Sequence, residues 1–240
     1  MEDKRLEGIV EKLKARYGEN LAAIVIFGSY VLGLYKEGKS DIDSIILIKE
    51  RAGIEDLAAE GTRLFQEMTE ERLSVQEFNV LFEYEADLYE RGRFTSWATM
   101  QKQKGCEVAY KTREFEEFLE RLKRKPLEKG KVLKTVREKD DFDLKVYLGE
   151  AEGFRKTVCL FGHLRRKLQI LNYYTDNQLE FDYDDCLRSV FNLLDREDVK
   201  KLENLNGKYK SRQILDKDGV EEYVALSKRM TPIVERVLKE

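Results

Sequence analysis

The chain has 240 residues, 38% of them charged, yet 44 basic and 47 acidic side chains leave a formal net charge of only −3. That balance names neither a membrane surface nor nucleic acid as the defining partner: the first is excluded as a span because no eighteen-residue apolar run exists, and the second stays open but unfavoured. A lone histidine, His163, and three scattered cysteines, Cys106, Cys159 and Cys186, exclude hydrolase triads, zinc knuckles and disulfide frameworks, and suit reduced thiols in a cytoplasmic protein.

The N-terminal stretch is too charged for a secretory signal. Leu6, Ile9, Val10, Leu13 and Tyr17 share one helical face, so the chain opens with an amphipathic helix ending near Gly18. Ala22 to Phe27 is an apolar run of strand length closed by Gly28. Ser29 to Tyr35 reads as a short helix started by the Gly-Ser pair. Asp41 to Lys49 is a second strand, and Ile54 through Met68 carries helical spacing. Leu73 to Phe82 is a third strand, followed by two short helical segments and a short fourth strand, Glu107 to Lys111. Alternation of strands and helices implies layers built on a small mixed sheet.

From about residue 140 the pattern becomes helical. Leu144, Tyr147, Leu148, Phe154, Val158, Phe161, Leu164, Leu168 and Leu171 keep helical spacing, with a break expected near Gly162. Tyr183 to Leu194 forms a further helix, with Asp182 and its acidic neighbours capping it. Val220 to Val237 forms the last, and Pro232 inside it is a potential kink. The expected class is therefore α+β: a small mixed β-sheet domain over 1–112, a basic linker over 113–139, and an all-α helical bundle over 140–240. The basic segment Arg121 to Lys139 carries +7 against −10 for the rest of the chain. It lacks aromatic residues for stacking bases, so a solvated connection is favoured over a phosphate-binding strip.

Chemistry concentrates in FGSYVLGLYKEGKSDIDSIIL, Phe27 to Leu47. In a strand, residues two apart share a face, so Asp41 and Asp43 stand side by side. Burying two unpaired carboxylates is unfavourable by several kcal/mol as an order of magnitude, and a divalent cation removes the problem. Mg²⁺ accepts one or two carboxylates and takes its remaining oxygens from water and substrate phosphates. Gly28 lets the backbone turn and a phosphate approach, while Ser29 and the free N–H groups after it present donors to an anion. A phosphate cradle beside paired carboxylates points to phosphoryl or nucleotidyl transfer.

Gly-Ser, eleven residues, then Asp-Ile-Asp between apolar runs resembles the signature of the DNA polymerase β-like nucleotidyltransferase superfamily, with Gly33 and Ser40 where minimal and antibiotic nucleotidyltransferases often carry them. KGCEVAYK resembles the closing strand of that domain, and the resemblance covers residues 1–112. It implies a palm-like sheet and an enzyme that moves a nucleoside monophosphate from an NTP, ATP favoured, to a hydroxyl of a small molecule, a protein or an RNA end. The implied cofactor is Mg²⁺ as two ions, with Mn²⁺ as an alternative, held by Asp41, Asp43 and a third carboxylate. Glu77 is the choice for that third group, because a glutamate inside a strand is disfavoured without a reason and its parity sets it opposite Phe78, Val80 and Phe82. Gly28, Ser29, Lys39 and Ser40 are the expected nucleotide-binding residues. Relatives often carry arginine after Gly-Ser; here Tyr30, Val31 and Leu32 stand there, which leaves triphosphate charge to Lys36 and Lys39. The rival reading is a catalytically silent nucleotide-binding or toxin–antitoxin-type regulatory protein on the same fold.

Overall fold

The computed structural model describes residues 4–33, 35 and 40–240, with the side chains of 139–147 and 150 outside the description. Lys36 and Lys39 lie outside it as well. The chain separates into two units: Met1–Glu90 with Ser96–Pro126, and Arg91–Thr95 with Leu127–Glu240.

The first unit is built on four strands, β1 (Leu21–Phe27), β2 (Ile42–Ile48), β3 (Leu73–Val80) and β4 (Cys106–Lys111), in the order β3-β2-β1-β4. β1 runs antiparallel to β2 and β4, and β2 parallel to β3. The sheet is mixed, as expected. β1 lies between two neighbours, and its residues Leu21 to Ile26 are fully buried, so the run is apolar on both faces instead of alternating.

Helices α1 (Lys4–Tyr17) and α2 (Leu57–Glu67) belong to the core of this unit. Leu6, Ile9 and Leu13 of α1 and Leu64 of α2 join Ile24, Ile26, Ile42, Ile46, Ile48, Leu73, Phe78 and Val80 in one cluster. Asp56 caps α2 by accepting from the N–H groups of Ala58 and Ala59. After β3 come α3 (Leu81–Glu90) and α4 (Phe94–Lys102), the two short helices expected. The strand ends at Val80, earlier than Phe82, and Glu83 is helical, paired with Arg51 through two bonds of 2.8 and 2.9 Å.

The basic segment is helical. α5 (Arg113–Arg124) buries Phe115, Phe118, Leu119 and Leu122, and α6 (Lys129–Glu150) begins five residues later. Arg121 pairs with Glu85 and Lys123 with Glu120, so part of the basic excess is already met within the chain.

In the second unit α6 is followed by α7 (Phe154–Asp176), α8 (Tyr183–Ser189), α9 (Arg196–Lys210) and α10 (Lys217–Lys239). The break expected near Gly162 falls instead at 151–153, where Gly153 takes a φ of 52°. Gly162 stays inside α7, because the apolar face running through Leu160, Leu164 and Leu168 holds the helix on either side of it. α8 is shorter than expected and gives way to a 3₁₀ turn at Phe191–Leu193. Asp182 caps it, accepting from Asp184 and Asp185 N–H. α9 has no counterpart in the sequence reading, although Asp195 as its cap and Val199, Leu202 and Leu205 on its buried face mark it. Pro232 sits within α10 without ending it. Between α7 and α10, Lys167 Nζ donates to Ser227 O, Ser227 Oγ and Thr231 Oγ1 at 2.7–2.8 Å, and His163 Nε2 lies 2.9 Å from the same serine hydroxyl. The lone histidine is thus a packing residue. Among the described residues no helix is long and apolar enough to cross a membrane.

Candidate active site

The Gly-Ser turn and the Asp-Ile-Asp strand meet because β1 and β2 are antiparallel neighbours whose register pairs Phe27 with Asp43. The last residue of β1 therefore delivers Gly28 to the carboxylate. Gly28 has a φ of 76°, and a Cβ added there would stand 2.5 Å from Asp43 Oδ2. Only glycine fits both demands. The space expected for a phosphate above this residue is taken by Asp43 itself, so the glycine's first service is to the carboxylate.

Residues 28–33 form hydrogen-bonded turns, not the expected helix: Leu32 N–H donates to Gly28 O at 3.2 Å and Gly33 N–H to Tyr30 O at 3.3 Å. Gly33, with φ 68°, takes the chain out of helical geometry after one turn. Ser29 lies half-buried in this turn, where backbone donors are concentrated but no extended helix dipole stands behind them. Ser40 is also half-buried and leads into Asp41.

The two aspartates differ in setting. β2 starts at Ile42, so Asp41 stands exposed just before the ladder while Asp43 is half-buried inside it. Burial raises the Asp43 carboxyl above its ordinary value; a hydrogen bond from Gln76 opposes this, and the nearby Asp41 charge adds to it. A site that disfavours its own anion is one that a cation would relieve.

The parallel ladder between β2 and β3 carries an irregularity. Asp43 pairs with Ser74 and Ser44 with Val75, but Ile45 pairs with Glu77, so β3 spends one extra residue, Gln76, at this point. The insertion places Glu77 level with Ile45, which shares a strand face with Asp43, while Phe78 and Val80 remain in the core cluster. In an unbroken ladder Glu77 would instead pair with Ile46 on the core side. Glu77 thus reaches the expected face, half-buried, one ladder step from Asp43. The three carboxylates are not drawn into one cluster: among the described residues no group of three or more His, Cys, Asp and Glu side chains is gathered for a metal. The donor set nevertheless suits a hard cation: two carboxylates, Asp41 exposed and Asp43 half-buried, and a glycine that lets the second lie against the main chain.

Gln76 and Ser74 escaped the sequence reading. Gln76 Nε2 donates to Asp43 Oδ1 at 2.9 Å and to Ser74 Oγ at 2.7 Å. Their spacing of two on a strand puts them on one face, but which residue of β2 that face meets, and the extra residue that turns Glu77 to the same side, leave no mark in the pattern.

The family model for the nucleotidyltransferase domain matches residues 6–133. Among solved structures, a spectinomycin adenyltransferase from Enterococcus faecialis, determined with ATP and spectinomycin, aligns over 95% of this chain and 98% of its own with a TM-score of 0.58. Identity is 12%, so the likeness is one of fold. A toxin–antitoxin structure with AMP-PNP covers 49% of this chain and 84% of its own at 20% identity, with a TM-score of 0.33. No curated protein sequence matches the chain. Gly-Ser and Asp-Ile-Asp brought together on adjacent strands, a mixed four-stranded sheet and a family match over more than half the length agree: the chain belongs to the nucleotidyltransferase domain family of the DNA polymerase β-like superfamily.

Proposed function

We propose that the protein transfers a nucleoside monophosphate from an NTP, ATP first among them, to a hydroxyl acceptor and releases pyrophosphate. The observation that carries this reading is the packing of Asp43 against Gly28, which joins the anion-facing turn and the carboxylate pair in one place. Asp41 and Asp43 would hold Mg²⁺, as one or two ions, and the bound metal would neutralise phosphate charge and favour attack at the α-phosphorus. The backbone N–H groups around Ser29 orient the phosphate chain. Ser40, at the entry to β2, is assigned to the same nucleotide, as is Lys39. Glu77, on the face of Asp43, accepts the proton of the acceptor hydroxyl as its oxygen attacks. The protein's contribution is positioning and charge complementarity. The helical unit is assigned to acceptor or partner binding. The spectinomycin adenyltransferase, determined with ATP and spectinomycin, supports an adenylyl donor and a small-molecule acceptor as the first pair to try.

The test is calorimetric titration of ATP, GTP, CTP and UTP with and without Mg²⁺, on the wild type and on the Asp41→Asn/Asp43→Asn double variant. Mg²⁺-dependent binding of one nucleotide, absent from the variant, is expected. Binding that ignores both the metal and the substitutions would leave the fold and remove the enzyme, in favour of a silent nucleotide-binding protein.

A further inference from the structure

Asp43 is held from two sides. Its Oδ2 rests where a side chain on residue 28 would begin, and its Oδ1 accepts the hydrogen bond from Gln76. The same amide nitrogen is anchored by Ser74 Oγ, and Ser74 is the residue directly paired with Asp43 across the ladder. Gln76 follows Ser74 by two residues and stands beside Ile45, where the ladder irregularity sets Gln76 and Glu77 together against one residue of β2.

The choice of an amide has a chemical reason. A lysine or arginine at this position would form an ion pair with the carboxylate and compete with any cation arriving there. A glutamine orients one oxygen through a neutral N–H donor and leaves the negative charge intact. Gln76 is also exposed, so its amide is not needed to satisfy the core, and apolar replacements there leave no buried group stranded.

We infer that Gln76 is a positioning residue that fixes the plane of the Asp43 carboxylate for cation binding. The inference rests on the assignment of Asp41 and Asp43 as the metal-holding pair. Its effect belongs with the groups just outside a metal's own ligands, whose loss typically weakens metal affinity by about 10–100-fold.

The experiment is a titration of Mn²⁺ into the full chain saturated with an uncleavable ATP analogue, with free ion followed by its paramagnetic resonance signal. Wild type, Gln76→Met, Gln76→Ala and Asp43→Asn are compared, each with a thermal melt. Both Gln76 variants are expected to melt within about 2–4 °C of wild type and to bind Mn²⁺ about tenfold more weakly. The two replacements differ in size, so either one that folds suffices. Wild-type affinity in a folded Gln76 variant, with binding lost in Asp43→Asn, overturns the positioning role and leaves the metal site in place. Failure of the wild type itself to take up Mn²⁺ removes the metal site, and the role of Gln76 with it.

Discussion

Gly28 and Asp43 constrain each other. A methyl group on residue 28 would collide with Asp43 Oδ2, and a left-handed φ disfavours any L-residue there by about 1–2 kcal/mol. Gly28→Ala is therefore expected to fold, with a lower melting temperature, and to lose most nucleotidyl transfer because the carboxylate is displaced; a variant retaining full turnover would contradict the contact. Asp43 behaves in the opposite sense. Its folded carboxyl is raised mainly by burial, so the anion is disfavoured by folding at neutral pH, and that penalty fades as pH falls through the raised value. Asp43→Asn removes the charge. In chelator at neutral pH the variant should melt at or above the wild-type temperature while activity falls by at least about 100-fold, as expected for loss of a group acting on transition-state charge. A clear drop in the melting temperature would show that the charge stabilises the fold.

At the scale of elements, α1 and α2 are joined by a carboxylate. Glu60 of α2 is 6% exposed and accepts hydrogen bonds from Tyr17 and from Arg63, with Arg16 Nη2 at 3.0 Å. Burial alone would raise its carboxyl, but these bonds and the two arginine charges outweigh it and hold the group below its ordinary value. A depressed carboxylate contributes stability above its unfolded pKa of roughly 4.3, and that contribution is lost as pH falls through the folded value. Urea midpoints of wild type and Glu60→Gln should therefore differ most near neutrality and converge below about pH 4; a gap that persists at low pH would place the effect in packing instead. The α7–α10 pair is joined by Lys167, 2% exposed. Lys167→Met removes three donated bonds and leaves Ser227 O and two hydroxyls to find other partners, so a loss of about 1–3 kcal/mol is expected in urea unfolding. A neutral result would mean that the buried ammonium returns no more than its desolvation takes.

Across the whole molecule, both units are built around apolar side chains, from Ile9 and Ile24 in the first to Leu168 and Val234 in the second. Chelation should leave the melting temperature of the nucleotide-free protein unchanged, and Mg²⁺ with ATP should raise it, by about 2.7 kcal/mol of stabilisation at one hundred times the dissociation constant. A chelator-induced collapse would reveal a structural metal. Most of the sheet could be read from the chain, because its strands are short apolar runs bounded by Gly28, Asp41 and Arg72, and because Asp41 and Asp43 contradict the apolar pattern around them. Three things could not. The 28–33 turn has helix-like composition, yet Gly33 leaves helical geometry after one turn. α9 is so charged that Val199, Leu202 and Leu205 make only a thin stripe. The meeting of Gln76 with Asp43, and the side that Glu77 takes, depend on how two distant strands pair and not on either one alone.

That irregularity gives β3 a memory of length. Upstream of it the strand is in one phase with β2, downstream in the other, and Glu77 is the first side chain to speak in the second phase. Deleting Gln76 would bring the strand back into step with Val75 still against Ser44 and Glu77 still against Ile45, so the extra residue is spent on the amide that meets Asp43. In this part of the protein the number of residues, and not their kind alone, decides which side chains meet the carboxylate.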